Sequence, residues 1–408
     1  MEHLSVTAFL AMLVVMLAVA KIMGAIAQRI GQPAVLGELL GGVLVGPSML
    51  GLVDTRFETI ELLAELGVVI LLFAIGLETD LAKLFKVGAT SLTVAVVGVV
   101  LPFAMGYAAC LALGLSSMPA IMAAATLTAT SVGITARVLA DLGQLSSLEG
   151  QIILGAAVLD DILGLIILTI VTELSEGREV SPGSVARTTG LAISFLIGAL
   201  AVGWFVVPGI FRMARRLQLP GTPTALALII ALGLSWLADR SGSAMILGAF
   251  VAGILVARVP SSREIEHGIT EIGHFLVPLF FVVVGASVDL TALDPRTAES
   301  RFALLAGGVL IVVGVAGKLA AGYAPFWFKG SKLVVGVGMT PRGEVGLIFA
   351  KMGLAAGVLS AGLFGGVTLM VMVTTLIAPP LLKRLLGPAP GEAHEPEVDG
   401  IDDLVTEA

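Results

Sequence analysis

Residues 150–173 read GQIILGAAVLDDILGLIILTIVTE, an apolar run with Asp160 and Asp161 near its centre. From Ile152 to Val171, apolar residues fill most positions on both sides of the two acids. The run shows no period-two alternation and is long enough to cross a hydrocarbon core, which takes about 20 helical residues. An ionised carboxylate at mid-bilayer costs about 2.5 to 3.5 kcal/mol on insertion scales, before repulsion between neighbours is counted. Two such groups side by side need cations, and a pair of that kind suits a site that trades protons for a metal ion near neutral pH. The competing reading, polar glue between helices, has no need of so expensive a pair.

The same texture extends across the chain. Its 408 residues are 57% hydrophobic and 13% charged, with a mean hydropathy of +1.05, which excludes a soluble globular class. Breaks at charged, Gly or Pro clusters mark thirteen apolar segments, at 4–28, 33–50, 59–77, 89–113, 118–140, 150–173, 188–213, 222–238, 243–258, 274–288, 302–327, 332–352 and 356–384. Only helices and closed barrels satisfy their backbone in lipid, so the expected fold is an all-α polytopic membrane protein of about 13 transmembrane helices. The first segment is longer than a signal-peptide core and follows no basic leader, so it is expected to be a retained span.

An odd count puts the termini on opposite sides. Fourteen of the 23 Lys and Arg residues, Lys21, Arg137 and Lys383 among them, fall on one side against seven on the other, with Lys318 and Arg342 inside spans. The positive-inside rule then puts Met1 outside and the C-terminus in the cytoplasm. Much of the formal charge of −7 sits in an acidic tail from Glu392 to Glu407, expected to be disordered. Cys110 reads as a packing residue. No basic, aromatic stretch points to nucleic acid, no glycine loop points to a nucleotide, and His3, His267, His274 and His394 lack metal-ligand spacing. No cofactor is expected.

Weak internal repetition is present. Leu36-Gly37 with Gly42 to Val45 matches Leu247-Gly248 with Gly253 to Val256 at an offset of 211; Gly76 with Asp80-Leu81 matches Gly285 with Asp289-Leu290 at 209; Val132-Gly133-Ile134 matches Val345-Gly346-Leu347 at 213. Chance similarity between Gly/Leu/Val-rich segments is the bland alternative. Taken as real, the offset joins segments one to six with eight to thirteen. The seventh is then a connector that reverses orientation, the inverted-repeat plan of many secondary transporters, whose sites lie at the midplane on interrupted helices.

Two segments carry interruptions in corresponding places. Thr126, Thr128, Thr130 and Ser131 precede Gly133 in the fifth; Gly336, Gly338, Thr340, Pro341 and Gly343 surround Arg342 and Glu344 in the twelfth. Pro341 removes a helical hydrogen bond, and unwound backbone at membrane depth is tolerated where it lines a cavity. Thr130 and Ser131 can offer neutral oxygens to a small hard cation, or can bond back to their own helix. Arg342 and Glu344 are expected to neutralise each other or their neighbours. Lys318, in the middle of the eleventh segment, is too far from either end to snorkel easily and wants a carboxylate; pairing with one Asp leaves the other for a cation. Glu38, Glu78 and Asp80 read as entrance or interface charges.

At these residues the chain resembles the cation/proton antiporter superfamily, specifically its electrogenic bacterial sodium/proton branch. The resemblance rests on AAVLDDILGL around Asp160-Asp161, TATS at 128–131, the Lys318 segment, PRGE at 341–344 and GQPAVLGELLGGVLVGP at 31–47. It implies exchange of sodium for protons in a cell membrane by a homodimer embedded in lipid, with Na+ at Asp161 and Asp160. Asp161 would be the main ion- and proton-binding carboxylate, Asp160 the acid that pairs with Lys318, and Thr130 and Ser131 neighbours on a crossed, unwound helix. It further implies dimerisation helices at 1–85 and 217–295, core transport helices at 86–175 and 296–386, a linker helix at 176–216 and a tail at 387–408. Ser131 stands where some relatives carry an acid, which bears on the number of site carboxylates. The potassium-efflux branch usually adds a cytoplasmic nucleotide-binding domain, and only a short tail follows Arg384, so a ligand-gated potassium reading is weaker.

Two other classes compete. Intramembrane aspartyl proteases use two carboxylates facing each other across a water, but adjacent residues on one helix point about 100° apart, so Asp160 and Asp161 cannot form that dyad unaided. A passive channel would be poorly lined by a buried ammonium at Lys318.

Overall fold

The computed structural model describes residues 5–55, 57–79, 81–175, 181–214, 221–288 and 298–387; Asp80, Asp289 and the acidic tail lie outside them. The described residues form sixteen helices in chain order: α1 (Val6–Arg29), α2 (Ala34–Val45), α3 (Glu58–Glu78), α4 (Leu81–Lys86), α5 (Gly88–Ala112), α6 (Ser117–Thr126), α7 (Val132–Asp141) and α8 (Leu148–Ser175), then α9 (Pro182–Ala214), α10 (Thr222–Arg240), α11 (Met245–Val256), α12 (Ser262–Ala286), α13 (Ala298–Tyr323), α14 (Lys332–Gly338), α15 (Glu344–Ala355) and α16 (Ala361–Leu386). Among them nine are long and apolar enough to cross a bilayer, while α2, α6, α11 and α15 are apolar but shorter.

Each of the thirteen apolar segments carries helix, two of them as broken pairs, α6 with α7 and α14 with α15. Two details differ from the sequence reading. The segment at 274–288 is the end of a longer helix, because α12 starts at Ser262 with a polar first half that still buries Ile265 and Ile269 at helical spacing. The short α4 carries Lys83 and Lys86 and has too few apolar residues to register as a segment.

Helices α1, α2, α3, α10, α11 and α12 pack on one another, and α5, α6, α8, α13, α14, α15 and α16 do the same. Helix α7 touches both sets through α2, α3, α8 and α16, and α9 lies against α8, α10 and α11. In the first set two crossings are drawn tight by glycine. A Cβ added at Gly42 of α2 would lie 2.9 Å from the Gly285 Cα of α12, and one at Gly76 of α3 the same 2.9 Å from the Gly253 Cα of α11. Gly42 and Gly253, and Gly76 and Gly285, are the residues matched by the sequence offsets, so the two crossings are reciprocal. The outward faces of α1 and α9 are apolar, with Val14, Val202 and Phe205 66%, 63% and 77% exposed, a surface suited to lipid.

Candidate functional site

The two broken helices are interrupted for reasons local to their sequence. At the end of α6, Thr126 Oγ1 donates to the Ala123 carbonyl and Thr128 Oγ1 to the Ala125 carbonyl, at 2.6 and 2.7 Å, so hydroxyls bond back to carbonyls of the last turn. The chain is extended at Ser131 before α7 begins. At the end of α14, Thr340 Oγ1 donates to the Gly336 carbonyl at 3.0 Å, and Pro341, with no N–H, stops the helix until Glu344.

The interruptions meet. Ser131 N–H donates to the Pro341 carbonyl at 2.9 Å, Thr130 Oγ1 to the Met339 carbonyl at 3.2 Å, and Thr135 Oγ1 to the Gly338 carbonyl at 2.6 Å. Arg342 Nη1 donates to the Met339 and Thr340 carbonyls at 3.1 and 3.0 Å, so a fully buried guanidinium closes the carbonyl end of α14. Thr375 of α16 donates to the Arg342 carbonyl.

Asp160 of α8 and Lys318 of α13 are brought to this crossing, both fully buried. The Lys318 ammonium lies 3.4 and 3.5 Å from the two Asp160 carboxylate oxygens. Those distances are long for a charge-assisted bond, which runs about 2.7 to 2.9 Å. The short bonds go to backbone: Lys318 Nζ donates to the Thr128 carbonyl at 2.8 Å, and Thr130 N–H donates to Asp160 Oδ2 at 2.7 Å. The carbonyl end of α6 thus faces the ammonium, and the Thr130 amide leading toward α7 faces the carboxylate, the polarity that helix ends favour. Arg342 adds a second positive charge acting on Asp160.

Asp161 follows on α8, about 100° further round, and is only partly buried. The Ser131 hydroxyl is buried against Gly343, where a Cβ would come within 2.6 Å of it. Glu344 opens α15, but its side chain lies outside the described residues. Arg342 is neutralised in part by backbone carbonyls, a partner that residue type alone does not suggest. Sequence reasoning also passed over Thr135, whose only signal is that it stands one turn beyond Ser131, and Thr375, which carries none.

A family model described as sodium/hydrogen exchanger, transmembrane, matches residues 14–387. The chain belongs to that family. This exchanger is 39% identical to the high-affinity Na+/H+ antiporter NhaS3 of Synechocystis sp., over 95% of its own length and 92% of that protein's. It is 35% identical to the Na+/H+-K+ antiporter GerN of Bacillus cereus, over 90% and 93% of the two chains. Its fold matches that of the sodium proton antiporter MjNhaP1 from Methanocaldococcus jannaschii with a TM-score of 0.69, at 16% identity and over 93% and 96% of the chains. The exchanger is an integral membrane protein, as the nine long apolar helices among the described residues require.

Proposed function

We propose that this chain is a secondary transporter, not an enzyme, that exchanges sodium or lithium for protons, with Asp161 as the principal ion- and proton-binding carboxylate and Asp160 held by Lys318. The observation that carries the reading is the loose Asp160–Lys318 contact at the helix crossing. Backbone bonds orient each charge separately, so a cation or a proton arriving beside Asp161 can change the side-chain contact without dismantling the site. Thr130, Ser131 and the unwound carbonyls supply neutral oxygens nearby. Membership of the exchanger family and the names of the relatives support sodium and protons as the cargo. A potassium/proton exchange at the same carboxylates is the second reading, favoured by the potassium in the name of the B. cereus relative.

Two protons exchanged for one sodium would move one net charge per cycle, worth about 2.3 kcal/mol per 100 mV, so voltage could drive exchange. The packing supports an elevator scheme: helices within 86–175 and 296–386 form a transport core that slides against helices within 1–85 and 217–295, which also carry the homodimer contact. The reciprocal glycine crossings support two inverted repeats. The chain would sit in the bacterial inner membrane with its N-terminus outside and its C-terminus in the cytoplasm.

The test is cation-dependent dequenching of a pH dye in proteoliposomes with sodium, lithium and potassium, for the wild type and Asp161→Asn. The wild type should respond to sodium and lithium, faster under an aiding clamped potential, and Asp161→Asn should lose at least about 100-fold, the scale on which removing one preorganised electrostatic group acts. Equal exchange by the mutant would overturn the site.

A further inference from the structure

A second carboxylate is buried away from the helix crossing. Glu38 of α2 is 4% exposed, and among the described residues its Oε2 has no hydrogen-bond partner. It lies where α2 meets α7, with α1 covering it: a Cβ at Gly24 of α1 would be 3.8 Å from Glu38 Cγ. Among the described residues the charges that act on it are Arg137 and Asp141 from α7 and Lys21 from α1. Two of these are committed elsewhere. Arg137 Nε lies 3.1 Å from Asp141 Oδ1 as an ion pair rather than an aligned hydrogen bond, and Lys21 Nζ donates to the His274 carbonyl of α12 at 3.0 Å.

Next to this cluster is a polar cavity of about 330 Å3, lined by Gln28, Gln32, Ala34, Asp141 and the α16 residue Lys383. The Gln32 Oε1 is also buried without a partner among the described residues. Ala34 and Asp141 stand on the cavity wall, and Glu38 and Arg137 each stand one helical turn further in on α2 and α7. A buried carboxylate with an empty oxygen is tolerated as the neutral acid, whereas its anion must find water or a cation. In this conformation no cationic side chain among the described residues reaches Oε2. The packed α2–α7 contact therefore binds a proton more tightly than a conformation in which that contact opens toward the cavity.

We propose that Glu38 is a second proton-binding site, separate from the Asp160–Asp161 site, and that its ionisation opens the α2–α7 contact to the cavity. The sign follows from linkage: the packed form holds the extra proton, so raising pH favours the open form, by at most about tenfold per pH unit for one proton. In the elevator scheme proposed above, on which this role in transport rests, α2 and α7 belong to opposite units, and Glu38 would set the pH at which they part.

The test is hydrogen exchange by mass spectrometry on the full chain in nanodiscs between pH 6 and 9, corrected for intrinsic rates, with α10 as the internal reference. In the wild type, protection of 34–45 and 132–141 should fall by about tenfold or more as pH rises, up to the one-proton limit per unit. Glu38→Gln should hold that protection constant to within about twofold across the same range, having no proton to release. Should Glu38→Gln fail to fold, Arg137→Gln takes its place: loss of the positive neighbour should move the opening to higher pH. Asp161→Asn should keep the wild-type response while losing exchange. A Glu38→Gln profile that tracks the wild type, an unmoved midpoint in Arg137→Gln, or a response lost in Asp161→Asn would each overturn the inference. A Glu38-dependent response in a protein that exchanges no sodium would leave the inference standing and remove the function proposed above.

Discussion

Asp160 and Glu38 are both carboxylates shut away from solvent, and the molecule treats them in opposite ways. Asp160 receives a backbone N–H at 2.7 Å, has an ammonium within 3.5 Å and feels the Arg342 guanidinium, so its charge is provided for on every side. Glu38 keeps one oxygen without a partner among the described residues, and its cationic neighbours are engaged with Asp141 and with a carbonyl. The difference teaches that burial alone does not mark an ion site. On the proposals above, a buried acid whose surroundings are built for its charge suits a cation site, and one whose surroundings leave it short suits a proton.

Four variants can break or sharpen that contrast, each read as the unfolding free energy or thermal midpoint of the detergent-solubilised protein. The largest effect should come from Lys318→Met, which strands Asp160 in a fully buried site and should cost about 3 to 5 kcal/mol. By contrast Arg137→Gln, whose partner Asp141 is 25% exposed on its side chain, should cost less than about 1 kcal/mol. If the two losses match, the Asp160 surroundings are no better made than those of Glu38. Next comes Gly285→Val at the α2–α12 crossing that supports the Glu38 helix, where the added side chain meets the Leu39 carbonyl and Gly42 Cα; overpacking there should cost about 1 to 3 kcal/mol. An unchanged midpoint would mean that the crossing yields freely. Thr135→Val gives up the 2.6 Å bond to the Gly338 carbonyl and should cost about 1 to 2 kcal/mol while leaving the pH response of α2 intact. A lost pH response in that variant would tie the two regions together.

Hydropathy and the price of charge in lipid made much of this protein legible from its residues. An all-helical membrane bundle, interruptions after Thr126 and before Glu344, and the singular standing of Asp160, Asp161 and Lys318 all follow from local composition, because an apolar stretch must be helical in lipid and a charge within it must have a partner. The polar half of α12 escaped the same reasoning, since a helix that runs past the membrane is held by its packed stripe rather than by its mean hydropathy.

Which partner each charge takes was decided only by the tertiary structure. Lys318 finds its short bond at the Thr128 carbonyl, 190 residues away, and Arg342 at the end of its own half-helix, because unwinding exposes backbone groups that no residue code announces. Glu38 reads in sequence as one acid in a Gly/Leu-rich helix. Its burial between charged neighbours is a property of how α1, α2 and α7 come together, and a setting of that kind exists only where three helices have already met.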